Sequence, residues 1–121
     1  MSDELKKQYD AAVLQEVNGD RAGAIEALRK LAAENADFAL PYTALSAMYN
    51  RDGHIDQAVE YAKRYTECEP EDPFGYTILS SLCIKAGRRE EAEEALMSGQ
   101  QIQMRAFMEA RKNNEEKEET E

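Results

Sequence analysis

The chain has one histidine, His54, and two cysteines, Cys68 and Cys83. These shortages remove most catalytic chemistries at the outset. No serine or cysteine has a second histidine or a clustered acid to activate it, as nucleophilic catalysis requires. His54 reads as a surface turn residue. The cysteines form no CxxC pair and fall in different expected helices, so they read as small buried or half-buried thiols with no structural disulfide. No apolar run approaches the length of a membrane span. Met1-Ser2-Asp3-Glu4 lacks the positive start and apolar core of a secretory signal. The expected location is cytoplasmic. Cations are also scarce, 15 Lys and Arg against 25 Asp and Glu, for a formal charge of −10. That balance argues against nucleic acid, whose phosphates need a basic patch. Asp52-Gly53-His54-Ile55-Asp56 does not follow calcium-loop spacing. Glu90, Glu91, Glu93 and Glu94 suggest a metal at first sight, but on a helix they spread over the solvent side. No metal, no cofactor and no enzyme activity are expected.

What is there is a repeat. At 121 residues, 42% hydrophobic and 33% charged, the chain has the composition of one soluble globular domain. At a step of 34 residues Gly53 falls on Gly19 and Gly87, Ala58 on Ala24 and Ala92, and Ser46 on Ala12 and Ser80. Each glycine stands between two amphipathic runs, where a helix can end on a left-handed residue without a Cβ penalty. The small residues on either side let two helices cross closely. The pattern is three copies of one helical hairpin. The acidic excess outside the tail serves either solubility or a preference for a basic partner.

The central unit, Ala39 to Asp72, resembles a tetratricopeptide repeat. Tyr42, Leu45, Ser46, Tyr49, Gly53, Ala58 and Pro70 stand in the order and spacing of that family's W-x₂-L-G-x₂-Y…A…P pattern. The third unit keeps Tyr76, Leu79, Ser80, Gly87 and Ala92, with Cys83 in place of the aromatic and no closing proline. The first keeps Ala12, Gly19 and Ala24, while Gln8, Gln15 and Ala36 replace the two aromatics and the proline. The resemblance covers roughly residues 5 to 105. It implies an all-α fold, a right-handed α-solenoid of three helix-turn-helix hairpins with an extended C-terminal helix, that binds other proteins.

Local signals set the boundaries. Repeats are expected at about 5–38, 39–72 and 73–106 within a domain of residues 1–112, followed by an acidic disordered tail at 113–121. The first helix is expected from Asp3 to Val17 with Ser2 as its N-cap, and the second from Arg21 to Asn35 capped by Asp20. Ala24, Ile25, Leu28 and Leu31 form the inward stripe of that second helix. The next pair is expected at Leu40–Arg51 and Asp56–Cys68, with Pro41 in a first turn and Pro70 closing the pair. Asp72-Pro73 opens the third pair, which turns at Gly87. Its second helix has no proline from Arg89 to about Lys112, and Gly99 reads as a close-packing site inside it. Beyond Asn113-Asn114 the run EEKEETE is too charged and too poor in apolar residues to pack.

By resemblance, the first helix of each pair lines a concave face. The groove candidates are Tyr9, Val13 and Val17 in the first pair, and Leu40, Thr43, Ala44, Ala47, Asn50 and Arg51 in the second. In the third they are Phe74, Thr77, Ile78, Ser81 and Lys85. Together they make a largely apolar trough with neutral hydrogen-bonding groups, suited to an amphipathic helix or an extended peptide of a protein partner. Each of these side chains is either a groove residue or a contact between adjacent repeats. The carboxylate clamp of one subgroup of the family, the chaperone-tail binders, is absent, with Tyr9, Val13, Ala44, Phe74 and Ile78 at the matching places. Arg51 and Lys85 remain to fix one acidic group.

The last helix offers a second expectation. No fourth pair follows it, so a polar outer face is expected, yet Met97, Met104, Phe107 and Met108 recur there at helical spacing. Either this arc folds onto its own solenoid as a cap, or it pairs with a second copy as a homodimer, or it receives a different protein. A small chaperone-like holder of a secreted or assembling client is a further reading.

Overall fold

The computed structural model describes residues 3–120 as six helices. They are α1 (Asp3–Val17), α2 (Arg21–Glu34), α3 (Leu40–Arg51), α4 (Ile55–Cys68), α5 (Pro73–Lys85) and α6 (Arg89–Thr120). There is no strand among the described residues. Ser2, the expected cap of α1, lies outside them.

The hairpin turns share one design. Gly19, Gly53 and Gly87 have φ of 98°, 81° and 76°. In each turn the glycine N–H bonds back three residues, and the N–H of the next residue bonds back five: Asp20 to Gln15, His54 to Tyr49 and Arg88 to Cys83, at 2.8–3.0 Å. This is the Schellman closure, which satisfies two orphan carbonyls at each helix end. Asp20 then turns its carboxylate to the next helix, accepting from the Gly23 N–H at 2.9 Å. Asp72 does the same for α5, accepting from the Phe74 N–H at 3.0 Å. Pro41 and Pro73 occupy first turns, where a missing N–H costs no hydrogen bond.

The small residues sit where the helices cross. Ala12, Ala24, Ser46, Ala58, Ser80 and Ala92 are all buried, and the Ser46 hydroxyl donates to the Ala58 carbonyl at 3.0 Å. Each helix packs on its neighbours in sequence, and α1 also touches α3. The result is an all-α helical-repeat solenoid. One core cluster joins α1 to α3 around Leu28, Leu45 and Met48, and another joins α4 to α6 around Val59, Leu82 and Cys83. Tyr49 packs against both. Cys83 is buried, Cys68 half-buried, and both are free thiols.

Two expectations about α6 need correction. The helix does not stop near Lys112 but continues through Asn113-Asn114 to Thr120. Its last turns are built of Glu, Lys and Arg, good helix formers, and an Arg111–Glu115 ion pair of 3.3 Å spans one turn. Nor does α6 fold back as a cap. Ile102 is its last buried residue, and every residue from Gln103 to Glu119 is exposed. Gly99 is buried against α5, where an added Cβ would stand 3.4 Å from the Tyr76 Cβ.

Candidate binding groove

The glycine turns fold each hairpin back on itself, so α1, α3 and α5 stand side by side as the first helices of their pairs. Between α3 and α5 a pocket of about 280 Å³ opens. Its walls are Thr43, Ala47 and Asn50 from one helix and Thr77, Ile78 and Ser81 from the other, over a floor of Ser46 and Leu82. Six groove candidates thus come together. Of the two floor residues, Ser46 was read from the sequence as packing only, because its 34-residue periodicity marks burial and gives no sign that one edge stays open, and Leu82 was not singled out.

The pocket's polar groups are partly committed. Thr43 Oγ1 donates to the Leu40 carbonyl at 2.9 Å, and Thr77 Oγ1 to the Pro73 carbonyl at 3.2 Å. Each hydroxyl has its proton committed and keeps acceptor capacity only. At one end Lys85 Nζ donates to Asn50 Oδ1 at 2.8 Å. That partner is a neutral amide.

The other candidates lie apart from this pocket. Tyr9 is half-buried edge-on to Phe38, with ring centroids 6.2 Å apart, and burial pushes its phenol pKa up, with Asp10 adding to the shift. Ala44 packs on the first core cluster and Ile78 on the second, so Ile78 serves a repeat contact as well as the pocket wall. Val13 is half-buried, while Val17, Leu40 and Phe74 are exposed. Arg51 is not available as an anchor. It is paired with Glu16 at 2.6 Å, Glu16 also holds Arg21 at 3.0 Å, and Arg21 bonds Asp52. This ionic chain ties the last turn of α1 to the last turn of α3.

A second cavity, of about 420 Å³, lies at the C-terminal end of the array, lined by Ser80, Ile84, Ala92 and Leu96 among others. Ser80 and Ala92 repeat Ser46 and Ala58 one unit later. Glu91, expected on the solvent side, instead reaches Lys63 on α4 at 2.9 Å, and that hydrogen bond holds its carboxyl pKa below the usual range. Among the described residues no group of His, Cys, Asp and Glu is placed to hold a metal ion, and no helix is long and apolar enough to cross a membrane.

No protein-family model matches this sequence, and no curated protein does. Solved structures do. The second tetratricopeptide domain of Spaghetti (RPAP3), bound to the HSP90 peptide SRMEEVD, matches 83% of this chain and 93% of its own at a TM-score of 0.71 and 13% identity. The fold is that of the tetratricopeptide repeat. MamA has the same arrangement at a TM-score of 0.77 and 20% identity, over 86% of this chain. The chain spans 61% of MamA's length. The Yersinia enterocolitica type III secretion chaperone SycD, solved with a peptide of the translocator YopD, matches at a TM-score of 0.73 and 20% identity, over 84% of this chain and 78% of SycD. Within this tetratricopeptide-repeat solenoid, the α3–α5 pocket lies between the first helices of adjacent repeats. Its walls carry methyl groups, hydroxyls and one amide, and at its end that amide accepts from the Lys85 ammonium.

Proposed function

We propose that the chain is a non-catalytic interaction module, an adaptor or scaffold of the cytoplasm, that holds a peptide or amphipathic helix of another protein along α1, α3 and α5. The observation that carries this reading is the open pocket between α3 and α5. Ala47, Ile78 and Leu82 offer it an apolar floor and wall. The Thr43 and Thr77 oxygens are set to accept N–H groups, and Lys85 can receive one acidic group of the ligand. SycD and the RPAP3 domain are both solved with bound peptides, which supports a peptide as the first ligand form to test. A holder of an export client is the narrower form of the same reading.

Ile78 also supports the core, so exposed Thr77 and Ser81 make the cleaner test. Thr77→Arg with Ser81→Arg fills the pocket without touching either core cluster. Co-purification from the native lysate should lose the bound protein, while the thermal midpoint stays within a few degrees of the parent, as expected for surface substitutions. Undiminished recovery of the same partner would overturn the groove assignment.

A further inference from the structure

The part of α6 that leaves the body has an order of its own. Leu96, Met97, Met104, Phe107 and Met108 are 51–62% exposed. They lie on one side of the helix, away from the face that Ala92, Ala95 and Ile102 bury. This side reads as a palindrome about position 102. Leu96 and Met108 are equidistant from that position, as are Met97 and Phe107, and Gln100 and Met104. The charges at the two ends follow the same rule with opposite signs: Glu93 mirrors Arg111, and Arg89 mirrors Glu115.

We infer that α6 is a self-recognition helix, and that two copies of this chain pair antiparallel through it about a two-fold axis beside residue 102. In that register each apolar side chain meets an apolar partner, except that Gln100 meets Met104. The ion pairs Arg89–Glu93 and Arg111–Glu115, 3.3 Å each within one helix, come to lie across from one another. Arg89 then faces Glu115, and Glu93 faces Arg111. A parallel pair would set Arg89 on Arg89 and Glu93 on Glu93, and like charges in register are repelled. Isologous pairing is self-complementary by construction.

The ends of the solenoid argue against the other way of joining copies, head to tail. Tyr42, Leu45, Tyr61 and Cys68 pack on the first hairpin, and the 34-residue step carries them back onto Gln8, Ala11, Ala27 and Glu34. With Ala12, Gln15, Lys30 and Leu31 these line a mixed face, whose larger side chains other than Leu31 are polar or charged, a poorer cover for the Ile84 and Leu96 end than a second apolar helix. Antiparallel pairing supplies a better one. Met108 of the second copy stands opposite Leu96, at the mouth of the 420 Å³ cavity, and methionine adapts readily to an irregular gap. The paired length, residues 89 to 115, spans about 40 Å at the helical rise. The α3–α5 groove is left free, so this inference does not rest on its function.

Sedimentation equilibrium on the full chain should give a concentration-dependent doubling of mass. Met104→Glu with Met108→Glu should leave a monomer with unchanged helical circular dichroism from the body. A charge exchange tests the register. Glu93→Arg and Arg111→Glu, each alone, place like charges in both facing pairs of the homodimer, and each should weaken it about tenfold. Mixed together they restore both pairs, so the equimolar mixture should regain the parent's dimer as a heterodimer. A chain monomeric at every accessible concentration, or a dimer indifferent to the double glutamate variant, would overturn self-recognition by α6. Single charge variants that dimerise as well as the parent, or a mixture that stays monomeric, would overturn the antiparallel register.

Discussion

Tyr65 carries the clearest pH signature in the chain. Its hydroxyl donates to Asp72, the residue that also caps α5 through the Phe74 N–H. Burial, with that hydrogen bond second, pushes the phenol pKa from 10.0 up to about 12. The folded state thus holds this proton more tightly than the unfolded chain does. The stability tied to it is complete below pH 10 and is lost as pH climbs toward about 12. Denaturation in urea on either side of pH 10.0 should show a decline that is shallower in Tyr65→Phe. Some decline will remain, because burial also raises the phenol of Tyr42. Loss of the hydrogen bond should cost that variant about 1 kcal/mol below the titration. Nothing local in the sequence points to this pair, nor to Gly75, where an added Cβ would come within 2.6 Å of the Tyr65 ring. Gly53 was legible because it recurs at a fixed step and its positive φ is a backbone demand. Gly75 answers to a side chain on another helix, and a single sequence carries no record of that contact.

Among the elements, α2 was read almost to the residue and α6 was not, and the difference is physical. Asp20 closes α1 and opens α2, with its carboxylate accepting from the Gly23 N–H at 2.9 Å and from the Gln15 amide at 2.8 Å. Those hydrogen bonds, the backbone one first, hold its pKa below the usual carboxylate range. Such caps are local chemistry, and local chemistry is written in sequence. Asp20→Ala should lower the unfolding free energy by about 1 kcal/mol, and Asp20→Asn should keep most of it, since an amide oxygen can accept the same bond. Equal losses in the two variants, measured by urea titration, would mean that charge rather than the cap carries the effect. The end of α6 has no cap to read. Its tail was expected to be disordered because it has nothing to bury, but helix formation there rests on good formers and one-turn ion pairs such as Arg111–Glu115. An apolar count does not register those terms.

At the scale of the whole molecule the solenoid is a short one-dimensional array. The 34-residue step was enough to identify the three hairpins, because each turns on an equivalent glycine. It was not enough to locate the pocket within the trough. Arg51 is drawn off by Glu16, which also holds Arg21, and the 34-residue step replaces Glu16 by the neutral Asn50 beside Lys85, so the pairing is peculiar to the first two repeats. Ile78 likewise divides its surface between the pocket and the core. The same nearest-neighbour order governs how the molecule opens. α1 touches only α2 and α3 to any extent, and α5 and α6 share a separate core cluster that meets the first one at Tyr49. Stability in such an array is close to a sum of repeat and interface terms, so damage to one end should stay there. Leu28 is fully buried in the first cluster, and Leu28→Ala should cost about 2–5 kcal/mol. Hydrogen exchange should then speed up through α1, α2 and α3 while amides in α5 and the buried half of α6 keep the protection they have in the parent. Leu82→Ala should produce the converse pattern, opening α4 to α6 first. If either substitution raised exchange equally in all six helices, the three hairpins would form one cooperative unit, and Tyr49 would couple the two clusters more tightly than their packing suggests.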